Sequence, residues 1–294
     1  MKRSRNLIHR CLELRDHAWA QFEKTARSRS ATMPHQPQRF SQARTGSRST
    51  PITARSSVAV ILPVYNEQAC IRQTFEAVLR YSIQHPNFLF VFVDDGSIDR
   101  TKQMIANGIR VAKTKQIQLI SYCPRAGKGY AIRRGVQYVD RDLICFIDGD
   151  LAYSLNHLDL LIKKLQQCDV AIGSRIMLNS TDLPLSRKIA GKTFNFLSRK
   201  VLALPYRDMQ AGIKGFRKDA AKDLFLNQTL FGFSFDVELI YLAKKWGYSI
   251  GEIPVKVSDS HQRKLSKVNL LQDSIKMLLD LLKIRFNDQL GRYR

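Results

Sequence analysis

The chain has 294 residues, 44% of them hydrophobic, with 48 Lys+Arg against 25 Asp+Glu and a formal net charge of +23. Five scattered cysteines (Cys11, Cys70, Cys123, Cys145, Cys168) with no CxxC exclude a disulfide scaffold and a zinc site, and favour a reducing compartment. No apolar run approaches the ~20 residues a membrane-spanning helix needs, while the charge points to a polyanionic partner: nucleic acid, an anionic membrane surface or a phosphorylated substrate.

Residues 1–55 hold 12 Lys+Arg and 3 Asp+Glu. Within them "RSRSATMPHQPQRFSQARTGSRSTP" has almost no apolar content and reads as a disordered linker, with a basic helix expected ahead of it at 6–24. This tail reads either as a targeting or membrane-surface arm or as a dispensable extension, since Met33 lies inside it. Its net charge of +9 leaves +14 on residues 56–294, so the tail alone does not account for the excess.

From Val58 onward, short apolar runs alternate with helical patterns. Strands are expected at 58–62, 88–93, 117–122, 143–147 and 170–172, with helices at 68–81, 99–112, 130–139 and 155–167. Continuous apolar strands separated by helices predict an α/β fold, a parallel sheet covered on both faces. Ligands bind such sheets beyond the carboxyl ends of the strands. The segments in those places are "PVYNE" (63–67), "DDGS" (94–97), "RAGKG" (125–129), "DGD" (148–150) and "GSR" (173–175), all rich in charge, Gly or turn residues.

Asp148 and Asp150 follow a strand directly. In extended chain, side chains at i and i+2 point the same way, roughly 7 Å apart, so the pair can close on one hard cation such as Mg²⁺. An Asp-Gly turn is the plain structural alternative. Asp94 and Asp95 stand in the equivalent place after another strand, where a carboxylate can accept a nucleobase N–H. "RAGKG" offers backbone N–H groups and the Lys128 ammonium ahead of a helix, a setting for a diphosphate. Tyr65 and Glu67 can stack on a base and bond a ribose. Each feature alone reads more simply as a cap or turn; their joint occurrence carries the functional reading.

"ILPVYNE", "VFVDDGSIDRT", "GKGYAIRRGV", "FIDGDL" and "AIGSR", in that order, resemble glycosyltransferase family 2, over about Ser57 to Arg285. "DMQAGIKGFRKDAA" (208–221), "FSFDVELIYLA" (233–243), "GEIPVKV" (251–257) and "SKVNLLQDSIKMLLDLLKIR" (266–285) resemble its polyprenyl-phosphate sugar synthases, of the dolichyl-phosphate glucose or mannose synthase type. The resemblance implies a nucleotide-sugar-binding, mostly parallel sheet of the GT-A type. A catalytic domain at 56–260 would lie between the tail and a C-terminal basic amphipathic helix at 261–294. It further implies that Pro63, Tyr65, Glu67, Val93 and Asp95 line the nucleoside, with Lys128 beside the diphosphate. Asp148, Gly149 and Asp150 would hold diphosphate and metal, Mg²⁺ or Mn²⁺, the two aspartates being the metal ligands. Arg175, Gln210, His261 and Lys267 would face the phosphates of acceptor or donor; Arg187 joins them on charge alone, from the basic run at 185–192. His261, where the mannose branch tends to have Arg, tilts the donor towards UDP-glucose over GDP-mannose. Many mannose-type relatives carry Gln two residues after the second Asp; here that place is Ala152.

The expected activity is inverting transfer of a hexose from a nucleotide sugar to a polyprenyl phosphate. The enzyme would act peripherally at the cytoplasmic face of a membrane. A phosphate monoester with a second pKa of about 6 is mostly ionised at neutral pH, so it needs positive charge rather than a base. Residues 175–222 supply 11 Lys+Arg against 3 Asp; "LSRKIAGK" (185–192) is the expected cradle, though a solvated helix face would read the same. A hydroxyl acceptor, on a glycolipid or glycan, would need a general base, and Asp236 stands where relatives with hydroxyl acceptors carry one. A basic nucleic-acid-binding protein would share the charge but leaves five loop signatures unexplained, so no nucleic acid is expected as partner. Finally, Val268, Leu271, Ile275, Leu278, Leu282 and Phe286 form an apolar stripe opposite Asn269, Asp273, Lys276, Asp280 and Lys283, a helix that either packs on the domain or lies in a lipid interface.

Overall fold

The structure, a computed structural model, describes residues 51–53, 55–175, 195–258 and 270–293, the last stretch by backbone alone as far as 275. The tail to residue 50, the basic cradle with Arg187, and the segment with His261 and Lys267 lie outside the described residues.

Among the described residues, one sheet runs in the order β3-β2-β1-β4-β6-β5-β7. Its strands are β1 (Val58–Val64), β2 (Phe88–Asp95), β3 (Ile117–Tyr122), β4 (Leu143–Ile147), β5 (Val170–Ser174), β6 (Ile213–Arg217) and β7 (Ile250–Pro254). The helices are α1 (Ile71–Gln84), α2 (Thr101–Ala112), α3 (Lys128–Tyr138), α4 (His157–Leu165), α5 (Lys218–Leu226), α6 (Phe235–Lys245) and α7 (Leu270–Gln289); residues 195–202 are also helical. All nine elements expected between 58 and 172 form, with ends displaced by a few residues.

The apolar strands are buried on both sides, as their composition requires. In β1, Val58, Val60 and Leu62 join one core with Phe75 of α1, Ile105 of α2 and Leu158 and Leu161 of α4. Ala59 and Ile61 join the other, with Ile132 of α3, Leu224 of α5, Leu239 of α6 and Leu281 of α7.

The sheet is mostly parallel, as expected, and its exception is β6, which runs antiparallel between β4 and β5, with Ile147 opposite Ile213 and Phe146 opposite Lys214. The chain leaves β5 at its carboxyl end and re-enters the sheet from that same side. An incoming strand that starts there must point the other way, which delivers residues 208–214 to the sheet edge where Asp148 stands.

α7 had two placements open to it, packing on the domain or facing lipid. Among its described side chains Leu281, Ile284 and Asn287 are buried, whereas Leu278, Leu282 and Phe286 of the apolar stripe are exposed. The helix is leucine-rich all round, so periodicity alone does not choose a face. Polar anchors choose it: Asn287 Nδ2 donates to the Thr229 hydroxyl at 3.1 Å, the Tyr241 hydroxyl donates to Asp288 at 2.5 Å, and the Lys245 ammonium pairs with Asp288.

Candidate active site

β4 ends at Ile147, and the chain turns at once. The Leu151 N–H donates to the Asp148 carbonyl at 2.9 Å, Leu151 adopts a left-handed φ of 52°, and the Ala152 N–H donates to Asp150 Oδ1 at 3.2 Å. The two carboxylates thus flank a tight turn rather than extended chain, which corrects the geometry expected from strand spacing. Gly149 makes the turn possible, because a Cβ there would lie 2.5 Å from the Pro63 carbonyl oxygen and from Val64 Cγ1. Asp148 is seated by Gly212: its N–H donates to the Gly212 carbonyl at 3.0 Å, and a Cβ on Gly212 would collide with its carboxylate.

Cations surround this turn. Lys128, the first residue of α3, places Nζ 2.6 Å from Asp148 Oδ1. Burial works to lower the Lys128 ammonium, but Asp148 and Asp236 outweigh it and hold the group above its ordinary value. The loop before it is fixed by close approach. Gly127 has φ 105°, a Cβ on it would come within 2.5 Å of the Phe231 carbonyl oxygen, and that carbonyl accepts the Gly129 N–H at 2.9 Å. Beyond β5, Arg175 forms a fork on Asp208, with Nε to Oδ2 at 2.6 Å and Nη2 to Oδ1 at 2.9 Å. Burial pushes the Asp208 carboxyl up, yet the guanidinium more than offsets it and the group stays below its usual value. The same carboxylate takes the Gln210 N–H at 3.1 Å, so Arg175 and Gln210 are brought together by a residue that sequence reasoning missed.

Asp236 lies in the first turn of α6, where a carboxylate suits the helix dipole. It is buried, and its Oδ1 sits 2.8 Å from Lys214 Nζ, so the two buried charges compensate each other. Burial raises the Asp236 carboxyl against the pull of Lys214 and Lys128. Lys214 was also missed; the available signal was a single charge inside the otherwise apolar and glycine-rich "AGIKGF".

The nucleoside candidates gather at the ends of the neighbouring strands β1 and β2. Pro63 stands opposite Val93 in the sheet, and Val93 is fully buried. The Arg125 guanidinium lies 4.0 Å above the Tyr65 ring, and Glu67 Oε2 accepts the Cys70 thiol at 3.1 Å. Asp95 is engaged by the glycine loop: Oδ1 accepts the Tyr122 hydroxyl at 2.8 Å and the Ala126 N–H at 2.7 Å, and Oδ2 accepts the Gly127 N–H at 3.0 Å. Asp95 therefore ties "RAGKG" to β2 and holds Lys128 in reach of Asp148.

Residues 59–225, over half of the chain, match glycosyl transferase family 2. The chain belongs to that family. It is therefore an enzyme, a family 2 glycosyltransferase, with the GT-A architecture described above. It is 26% identical over 252 residues to a dolichyl-phosphate β-glucosyltransferase of Dictyostelium discoideum, covering 81% of this chain and 76% of that one. It is 30% identical over 242 residues to a Trichomonas vaginalis protein of the same description, covering 77% and 72%. Among solved structures, mannosyl-3-phosphoglycerate synthase from Rubrobacter xylanophilus superposes with a TM-score of 0.59 at 17% identity, covering 83% of this chain and 80% of that one. Glucosyl-3-phosphoglycerate synthase from Mycobacterium tuberculosis, solved with Mn²⁺, UDP-glucose and phosphoglyceric acid, gives 0.58 at 15%, covering 82% and 86%. At these identities the likeness is one of fold.

Divalent-metal use fits this turn. No cluster of three or more His, Cys, Asp or Glu that would cage an ion occurs among the described residues. Two hard carboxylates suit Mg²⁺ or Mn²⁺, ions that commonly take one or two carboxylates and complete their shell with phosphate oxygens and water. Asp148 already meets one cation, the Lys128 ammonium, and is part-exposed.

Proposed function

We propose that this family 2 enzyme transfers glucose from UDP-glucose to a polyprenyl phosphate, inverting the anomeric carbon. The observation that carries the acceptor class is the state of Asp236: a buried carboxylate paired with a buried lysine is poorly placed to strip a proton from a hydroxyl, and an ionised phosphate requires no such step. The relatives described as dolichyl-phosphate β-glucosyltransferases support the sugar and the lipid.

In this reading Pro63, Tyr65 and Glu67 line the nucleoside, and Lys128 faces the donor diphosphate. Asp148 and Asp150 hold Mg²⁺ or Mn²⁺, which when bound would neutralise charge on the departing UDP. Lys128 adds a fixed positive charge at the same place, worth most in a site that excludes water. Arg175, oriented by Asp208, supplies charge towards the acceptor phosphate, together with Arg187, Gln210, His261 and Lys267. The tail at 1–55, the catalytic domain at 56–260 and the C-terminal helix divide the work between membrane attachment and chemistry.

Membrane attachment is peripheral in this reading, at the cytoplasmic face. No helix among the described residues is long and apolar enough to cross a membrane. On α7, Leu279, Leu282, Phe286 and Leu290 are each more than half exposed and recur at three- and four-residue steps, with exposed Lys276 and Lys283 on the same helix. Apolar residues flanked by lysines suit an anionic lipid interface. A donor screen against polyprenyl phosphate in detergent, reading UDP and GDP release, tests the assignment. Release of UDP from UDP-glucose only when the lipid phosphate is present is expected; transfer to hydroxyl acceptors alone overturns it.

A further inference from the structure

Lys214 is a fully buried lysine that no step above employs. It is the second residue of β6, opposite Phe146 of β4 and Ile172 of β5. Its ammonium donates to the Ala211 carbonyl at 2.8 Å, lies 2.8 Å from Asp236 Oδ1, and sits 5.5 Å from the centroid of the Phe146 ring. A lysine in such a place is costly unless its charge is matched. One matching charge is Asp236; the other partner, Ala211, adjoins the glycine that seats Asp148. One ammonium therefore joins the two carboxylate-bearing parts of the site, the start of α6 and the Ala211–Gly212 turn beneath Asp148.

We propose that Lys214 is a positioning residue for sugar transfer, holding Asp236 as a fixed anion at a set spacing from the Asp148 turn. Asp236 then serves as a stationary charge facing Lys128 and the sugar, and not as a proton acceptor. This rests on the reading of the Asp148–Asp236 region as the transfer site. A lysine needed only to fill space would be replaceable by methionine, which keeps the apolar stem and drops the charge.

The test is a double-mutant cycle of Lys214→Met, Asp236→Asn and the pair together. It is read by kcat, by KM for UDP-glucose, by UDP release from UDP-glucose alone, and by melting temperature. Lys214→Met should lower kcat about 10–100-fold, the scale of a misplaced reacting group, while KM for UDP-glucose changes less than about twofold. Because Lys214 acts through Asp236, the double variant should have the kcat of Asp236→Asn alone. Each single variant leaves one buried charge unpaired and should melt roughly 6–15 °C lower, and the double variant should recover at least half of that loss. If Lys214→Met cannot be purified folded, the double variant against Asp236→Asn still decides. Losses that multiply, additive drops in melting temperature, or full kcat in Lys214→Met would each overturn the proposal. If no sugar reaches lipid phosphate while UDP-glucose is still hydrolysed, the acceptor assignment fails and the hydrolysis and melting cycles judge Lys214 on their own.

Discussion

Two lysine–carboxylate pairs stand close together in this site, and they differ in their access to water. In Lys128–Asp148 the side chains are 23% and 27% exposed; in Lys214–Asp236 they are 0% and 5% exposed. The chemistry is the same, and the consequences are opposite. An ion pair at the mouth of a cleft can exchange partners with little penalty, because water and an incoming diphosphate or cation replace what each group loses. An ion pair sealed under the sheet cannot, since separating it strands a charge in a medium of low dielectric. The first pair is therefore suited to meet ligand, the second to hold the frame around it.

The largest expected effect is at the open pair's carboxylate, Asp148, and its neighbour Asp150. Asp148→Asn or Asp150→Asn should lower kcat/KM about a thousandfold or more, the scale of removing a charged ligand from a leaving group, with the melting temperature little changed. EDTA should have a similar effect on the wild-type enzyme, reversed by Mn²⁺ or Mg²⁺. Full turnover in EDTA would remove the metal from the reading.

Gly212→Ala comes next. Its new methyl would meet the Asp148 carboxylate, forcing the open pair apart while leaving Lys214–Asp236 in place. Donor affinity should fall about 10–100-fold, as calorimetry would show, with a cooperative melt retained. Unchanged affinity would mean that the seating of Asp148 does not matter for the donor.

A smaller effect is expected at the surface. Leu282→Ser with Phe286→Ser removes exposed apolar groups from α7. Binding to vesicles of mixed anionic and zwitterionic lipid should weaken about tenfold or more, at roughly 25 cal/mol for each Å² of apolar surface that no longer enters the lipid. Turnover of a short, water-soluble polyprenyl phosphate should be unchanged. Vesicle binding equal to wild type would remove α7 from the membrane-facing surface.

The smallest concerns acid. The Asp208 carboxyl is held below its ordinary value of 3.8 by Arg175, so the unfolded chain binds more protons between the two values. Stability from this pair is present above that window and is lost as pH falls through it. The drop in melting temperature between about pH 6 and about pH 3 should be a few degrees smaller in Asp208→Asn than in wild type. An equal drop in both would show that the pair is not titrating there.

Much of this was legible in the sequence. Strands built from unbroken apolar residues have to be covered on both faces, and the loops that follow them collect the charged and glycine residues, so the α/β class and the place of "DGD" and "RAGKG" at the carboxyl ends of strands follow from local composition. Nothing local in "AGIKGF" says that its strand runs against its neighbours. That direction depends on where the chain stood after β5, a non-local matter, and it decides that Gly212 lies under Asp148 and Lys214 against Asp236. Nothing local to Asp95 says that its carboxylate also accepts N–H groups about thirty residues further along the chain, and α7, apolar on several faces, was oriented by Asn287, Asp288 and their partners. Residue type sets which groups can carry charge or turn the chain. Which charges end up paired, and which of those pairs water can reach, is decided only when distant segments pack, because burial and counter-charge belong to the assembled site and not to any one stretch of it.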